Sequence, residues 1–204
     1  METEKEKIVS EIRGNFMKEK ILEATIKVFN RKGLKFTMDD IAKELSMSKK
    51  TIYTVFSDKN SLFGEMVDYC FDKIKESENE IVISSELSTI EKIKQILGVL
   101  PESYADIDFR QLYPLKEKYP KIYRKVEERL ESGWENTIAL INQGIEEGVI
   151  RPVNVFLIKT MMEATLEQFF QRDILLINKI PYKKALDEVV SIITDGIIVR
   201  EEKV

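Results

Sequence analysis

Apolar residues recur at spacings of three and four along most of the chain, which is the periodicity of helices that bury one face. The pattern becomes clear at Lys18 and continues to a last helix that we expect to begin at Pro181. Turn-forming residues are few, with 8 Gly and 5 Pro, which favours long helices with short connections. We therefore predict an all-α protein of about nine helices.

Residues 1–58 are predicted to form a small N-terminal domain with three helices. The first ends at Gly33, which is suited to a helix C-cap. Thr37 is a candidate N-cap for the second helix, and Ser48 is a candidate N-cap for a short third helix at about residues 48–54. The tight connection between the second and third helices predicts a helix-turn-helix.

Residues 59–204 are predicted to form a second, larger helical domain. A long helix is expected from about Lys121 to Glu147, followed by one from Asn154 to about Asn178 and by the last helix from Pro181. We expect the apolar stripes of these helices to pack against one another as a bundle.

The charge distribution changes how the net charge of −4 should be interpreted. Residues 1–60 contain 13 Lys and Arg and 10 Asp and Glu, whereas the remainder contains 19 and 26. A basic N-terminal region on an acidic body is typical of a protein in which only the N-terminal region meets phosphate.

The cysteine and histidine content limits the possible chemistry. One cysteine, Cys70, cannot form an internal disulfide, and the absence of histidine removes the commonest ligands and acid–base catalysts. Paired carboxylates such as Glu127 and Glu128 are adjacent in sequence, so they point to different sides of a helix. With no signal peptide or membrane span evident, we expect a soluble cytoplasmic protein without metal or cofactor that is not an enzyme.

Seven polar residues of the helix-turn-helix region are candidate DNA contacts. The second helix of such a motif lies in the major groove, where lysines at its start can reach a guanine edge or a phosphate. Hydroxyl groups and free backbone N–H groups at helix N-termini are natural partners of the phosphate backbone. The candidates are Thr37, Ser48, Lys49, Lys50, Thr51, Tyr53 and Lys59.

The stretch from Ile21 to Phe63 matches a known pattern of residue types and spacings, in Thr37-x-x-Asp40-Ile41-Ala42 and Ser48-x-x-Thr51-Ile52-Tyr53 among others. With these motifs it resembles the DNA-binding region of the TetR family. The resemblance implies a homodimer, formed through the last two helices, that binds a palindromic operator in double-stranded DNA and usually represses. It also implies release when a small-molecule effector enters the C-terminal domain. Ser46 departs from the family's usual Gly in the turn, which requires a left-handed backbone at modest cost.

Five large apolar residues of the C-terminal domain are candidates for lining an effector pocket. No buried cluster of charged residues is evident there, so we expect an apolar or amphipathic ligand. The alternatives are a DNA-binding regulator controlled by a protein partner, or one with no small ligand. The candidates are Tyr104, Trp134, Met161, Met162 and Phe169.

Overall fold

The all-α prediction is confirmed by a computed structural model that describes residues 4–101, 104 and 114–199. Within these residues the only β-type pairing is one bridge between Ile150 and Ile198. The helices are α1 (Glu4–Lys32), α2 (Met38–Glu44), α3 (Lys49–Tyr53), α4 (Lys59–Ile83), α5 (Thr89–Leu97), α6 (Leu115–Lys118), α7 (Pro120–Glu131), α8 (Glu135–Glu146), α9 (Val155–Gln171), α10 (Ile174–Ile177) and α11 (Tyr182–Ile197).

The N-terminal residues extend the first helix, because α1 begins at Glu4, whereas the helical pattern is clear only from Lys18. This extension shows no helical periodicity because it has no buried apolar face, and its apolar residues Ile8, Ile12 and Phe16 are all exposed. At its other end, a 3-10 turn at Gly33–Lys35 connects α1 to α2, and Gly33 adopts a φ of 56°. The prediction that Gly33 ends the first helix is therefore confirmed.

The prediction of one long helix from Lys121 to Glu147 is wrong, because the helix is broken at residues 132–134, between α7 and α8. Gly133 adopts a φ of 76°, a left-handed conformation that a continuous right-handed helix does not contain. The indole N–H of Trp134 donates to the Leu130 carbonyl at 2.9 Å, and so satisfies one of the carbonyls that the break leaves without a helical partner.

The helix predicted from Asn154 to Asn178 is also interrupted. Asn154 caps α9 as expected, accepting from the backbone N–H of Phe156 at 3.0 Å. The helix ends where Arg172 turns extended, with φ −130° and ψ 156°, and the chain resumes in the short α10. Each of these two interruptions adds one helix, which raises the number from the predicted nine to the eleven of the described residues.

Two buried apolar clusters hold the helices together, and the first crosses the predicted domain boundary at residue 58. It joins α1, α2 and α3 to the first half of α4 and to α6 and α7. The second cluster is formed by α5, α8, α9 and α11. The helix α4 thus packs with the N-terminal domain at one end and reaches the C-terminal bundle at the other.

Gly144 on α8 is a position of close approach between helices in the second cluster. A Cβ atom added there would lie 2.6 Å from Cγ1 of Ile150 and 3.3 Å from Cδ1 of Ile93. Ile150 is 1% exposed and is held by its bridge to Ile198, so it has little room to move.

We therefore predict that Gly144→Ala lowers the free energy of unfolding by about 1–3 kcal/mol, as expected for overpacking of a core. Gly14→Ala is the matched control, because nothing lies within 4 Å of a Cβ added to this exposed helical glycine. The control should be neutral or stabilise by up to about 1 kcal/mol. Urea unfolding of both variants checks this, and equal effects would contradict the packing argument.

Candidate functional site

The turn between α2 and α3 has the geometry that a helix-turn-helix requires. Ser46 adopts a left-handed φ of 53°, as expected at the position where the TetR family, which this region resembles, usually has Gly. The backbone N–H of Met47 donates to the Ala42 carbonyl at 2.9 Å, and that of Ser46 donates to the Lys43 carbonyl at 3.1 Å. This pair of bonds is a Schellman motif, which ends α2 and redirects the chain into α3.

Both helices of the motif begin at the predicted caps. The Thr37 hydroxyl accepts from the Asp40 N–H at 3.2 Å, and the Asp40 carboxylate accepts from the Thr37 N–H at 3.1 Å, which forms a capping box. Bonds from Lys32 and from the Thr37 hydroxyl lower the pKa of Asp40 to about 2. The Ser48 hydroxyl accepts from the Thr51 N–H at 3.1 Å. Thr37 and Ser48 therefore act as caps while their helix N-termini face solvent.

The apolar residues of the motif fix the orientation of α3. Ile41 and Ile52 are completely buried, and Phe56 is 2% exposed, all within the first apolar cluster. With this face of the five-residue α3 packed inward, its polar residues are held on the opposite, exposed side.

On that exposed side the candidate residues have different partners. Lys49 Nζ is bonded to a carboxylate oxygen of Asp39 at 2.8 Å, which is the main cause of the raised pKa of Lys49. The hydroxyls of Ser48 and Thr51 are 2.8 Å apart. Tyr53 is 44% exposed. Lys50 is exposed, and the described residues offer its ammonium no hydrogen bond or ion pair, so it is available to an external acceptor.

Lys59 is placed differently from the other candidates. Its ammonium donates to the Leu34 carbonyl at 2.8 Å and lies 4.2 Å from the ring centroid of Phe36 and 5.4 Å from that of Tyr119. Leu34 and Phe36 belong to the connection between α1 and α2, whereas Tyr119 lies just before α7. Lys59, which was predicted to bind phosphate, thus has its partners within the protein, and these contacts connect the N-terminal domain to the rest of the chain.

A cavity of about 180 Å³ lies where α4, α5, α7, α8, α9 and α11 meet. Tyr104, Trp134 and Met162, three of the five predicted pocket residues, line it together with Phe170 and Tyr182. The lining is mainly apolar.

The other two predicted pocket residues, Met161 and Phe169, lie outside the cavity. The positions of α9 that face it are Met162, Leu166 and Phe170, spaced by four residues. Met161 and Phe169 each precede one of these by a single residue, and therefore project about 100° away around the helix. Met161 is 57% exposed, and the Phe169 ring packs 6.0 Å from that of Tyr182.

The cavity wall contains one buried charge that the sequence pattern did not indicate. Glu78 on α4 lines the cavity with a side chain only 8% exposed, and Lys75 Nζ lies 2.6 Å from its Oε2. Lys75 also donates to the carbonyl of Gly133, in the break between α7 and α8. This contact spans 58 residues of sequence, so helical periodicity carried no signal for it.

The lone thiol, that of Cys70, also lines the cavity, and burial raises its pKa to about 12. It therefore stays protonated and is a poor nucleophile at neutral pH. Within the described part of the chain, three or more Cys, Asp or Glu residues do not come together as a metal site would require. No helix there is both long enough and apolar enough to cross a membrane.

The comparisons with known proteins agree with this geometry. The family described as bacterial regulatory proteins, tetR family, matches residues 21–66, which cover most of α1, the helix-turn-helix and the start of α4. The chain is similar to an uncharacterised HTH-type transcriptional regulator of Bacillus subtilis, YvaF, with 27% identity over 91% of this chain and 98% of YvaF.

A second relative is IcaR of Staphylococcus aureus, the negative transcriptional regulator of the biofilm operon icaADBC, with 27% identity over 83% of this chain and 84% of IcaR. The fold is similar to that of a solved TetR-family regulator from Cytophaga hutchinsonii, with a TM-score of 0.69 and 22% identity over 93% of this chain and 98% of that one. These relatives are transcriptional regulators and not enzymes.

The engagement of Lys59 predicts a loss of stability that does not depend on DNA. Lys59→Met removes the bond to Leu34 and the attraction to two rings, and should lower the free energy of unfolding by about 1–3 kcal/mol. Lys50→Met, at an exposed lysine without a described partner, should change it by less than about 0.5 kcal/mol. Urea unfolding measures both, and a neutral Lys59→Met would show that the contact adds nothing to stability.

Proposed function

Because the chain belongs to the TetR family of DNA-binding transcriptional regulators, we propose that it is a homodimeric repressor of a palindromic operator, released by a small molecule. The observation that carries the proposal is the course of α4, which begins six residues after the end of the recognition helix α3 and forms one wall of the cavity. Glu78 lies about 30 Å along this helix from Asp58, at 1.5 Å per residue. As a regulator of DNA it would act in the cytoplasm.

The proposed DNA surface is the exposed face of the helix-turn-helix. Lys50, whose ammonium is available, is assigned to a base edge, and the Tyr53 hydroxyl to a phosphate. Thr37, Ser48 and Thr51 are assigned to the DNA backbone, because Thr37 lies at the N-terminus of α2 and the other two at that of α3, and helix N-termini attract anions. Lys49 reaches DNA only by leaving Asp39, whereas Lys59 supports binding by holding the domain in place.

The proposed dimer surface consists of exposed apolar residues on α9, α10 and α11. A stable interface buries about 800 Å² per partner, and an apolar face of this kind is otherwise unfavourable in water. Met161, which does not line the cavity, belongs to this surface. Its members are Phe156, Leu157, Met161, Ile174, Leu176, Ile177 and Ile192, each at least 45% exposed.

Operator binding tests the proposed DNA surface. On the DNA upstream of the chain's own coding region, Lys50→Ala should weaken binding about 10- to 100-fold and change the preferred sequence. Tyr53→Ala should weaken binding to all sequences alike. Fluorescence anisotropy over a salt series measures both, with Lys121→Met, at an exposed position of α7 outside the helix-turn-helix, as the control.

The same salt series tests the role of Lys59. A lysine that neutralises a phosphate contributes about 0.9 to the slope of log affinity against log salt concentration. We expect Lys59→Met to lower operator affinity and leave that slope unchanged. A slope reduced by about one would place Lys59 on the DNA, and salt-insensitive binding of the unmodified protein would contradict the whole proposal.

A single charge on the proposed dimer surface should separate the subunits. Ile192→Glu places a carboxylate in the apolar face of α11, near Asp195, and we expect it to shift the protein from dimer to monomer and abolish operator binding. Ile83→Glu is the matched control, since Ile83 is 80% exposed at the end of α4, compared with 72% for Ile192. Analytical ultracentrifugation reads the mass, and a monomeric unmodified protein would refute the dimer.

A further inference from the structure

One corner of the apolar cavity contains a buried carboxylate. The Glu78 side chain is 8% exposed, and burial is the main reason that its pKa is raised. A carboxylate in an apolar wall is unfavourable unless its oxygens are fully hydrogen-bonded. The partners of Glu78 therefore decide what else the corner can bind.

Lys75 satisfies only part of the hydrogen-bonding capacity of Glu78. Its ammonium lies 2.8 Å from Oε1 and 2.6 Å from Oε2, and it donates as well to the Gly133 carbonyl. An ammonium has three N–H groups, so Lys75 has none left for a ligand. Each carboxylate oxygen has two lone pairs and receives one bond, so Glu78 keeps acceptor positions.

The surroundings of this corner also favour a cation over an anion. Glu135, at the start of α8, adds negative potential that raises the pKa of Glu78. The rings of Trp134 and Tyr104 line the same cavity, and aromatic faces attract cations. The other cation of the lining, Arg129, is paired with Asp72.

We infer that the cavity takes a molecule with an apolar body and a protonated amine, and that this ammonium donates to Glu78. The cavity of about 180 Å³ is slightly larger than one of roughly 150 Å³ that holds benzene, so one ring with a short aminoalkyl arm fits it. The inference rests on the proposed function, in which this cavity is the effector site, and specifies the class of effector.

Three probes with the same ring and different end groups test the charge preference. Calorimetry at pH 7 compares 2-phenylethylamine, which is cationic, with neutral 2-phenylethanol and anionic 3-phenylpropanoate. The amine should bind at least tenfold more tightly than either of the others. No binding of the amine, or tighter binding of the acid, overturns the inference.

Variants of the full-length protein test the role of Glu78. Glu78→Gln should reduce the affinity for the amine to that for the alcohol, whereas Glu80→Gln, at an exposed position of α4, should leave it unchanged. Lys75→Gln keeps a donor for the Gly133 carbonyl and removes the competing ammonium, so it should tighten amine binding at least threefold. If Glu78→Gln does not fold, Lys75→Gln still tests the role of Glu78. Amine affinity that is unchanged in a folded Glu78→Gln or Lys75→Gln variant overturns the inference.

Measuring operator release by the amine tests the proposed function separately from the inferred ligand class. The calorimetry contains no DNA, so Glu78-dependent binding of the amine supports the ligand class by itself. If the amine binds in this way but does not release the operator, the inferred site stands and effector control through the cavity fails. Amine-induced release that Glu78→Gln abolishes supports both.

Discussion

The packing of Phe63 is the interaction on which the rest of the structure depends. This ring is completely buried on α4 and lies 5.7 Å from the ring of Phe29, 5.5 Å from that of Phe36 and 5.5 Å from that of Tyr119. Phe29 and Phe36 belong to the N-terminal domain, whereas Tyr119 precedes α7 in the body. One side chain therefore holds the N-terminal domain, the connecting helix and the body in a single packed cluster.

Such a shared cluster makes α4 a rigid connection, because close-packed side chains leave little room for independent movement. Lys59 strengthens the connection from the polar side, since its ammonium bonds to Leu34 and faces the rings of Phe36 and Tyr119. At the other end, Lys75 and Glu78 connect α4 to the break at Gly133. A ligand that disturbs this second contact acts on the same rigid helix that positions the N-terminal domain.

Short-range features of this chain could be predicted from the sequence, and long-range ones could not. The caps at Thr37 and Ser48 follow from bonds that span three residues, so local residue types were enough to find them. The burial of Glu78 depends on helices far apart in sequence, and Glu78 alone resembles any solvated helical glutamate. Met161 and Met162 show the same limit, because adjacent apolar residues gave no indication of which one faces the cavity.

Energetically unfavourable features are concentrated in the cavity wall and are nearly absent from the helix-turn-helix. The helix-turn-helix meets almost every local requirement, with two side-chain caps, and its single left-handed serine belongs to a Schellman motif. The cavity wall instead combines a buried carboxylate, a half-buried lysine and a left-handed Gly133, where an added Cβ atom would lie 2.5 Å from Cε of Lys75. An apolar pair at positions 75 and 78 would fill this wall and avoid the desolvation of two charges. Features that lower stability at one internal site are best explained by binding, so energetics as well as geometry favour a ligand at Glu78.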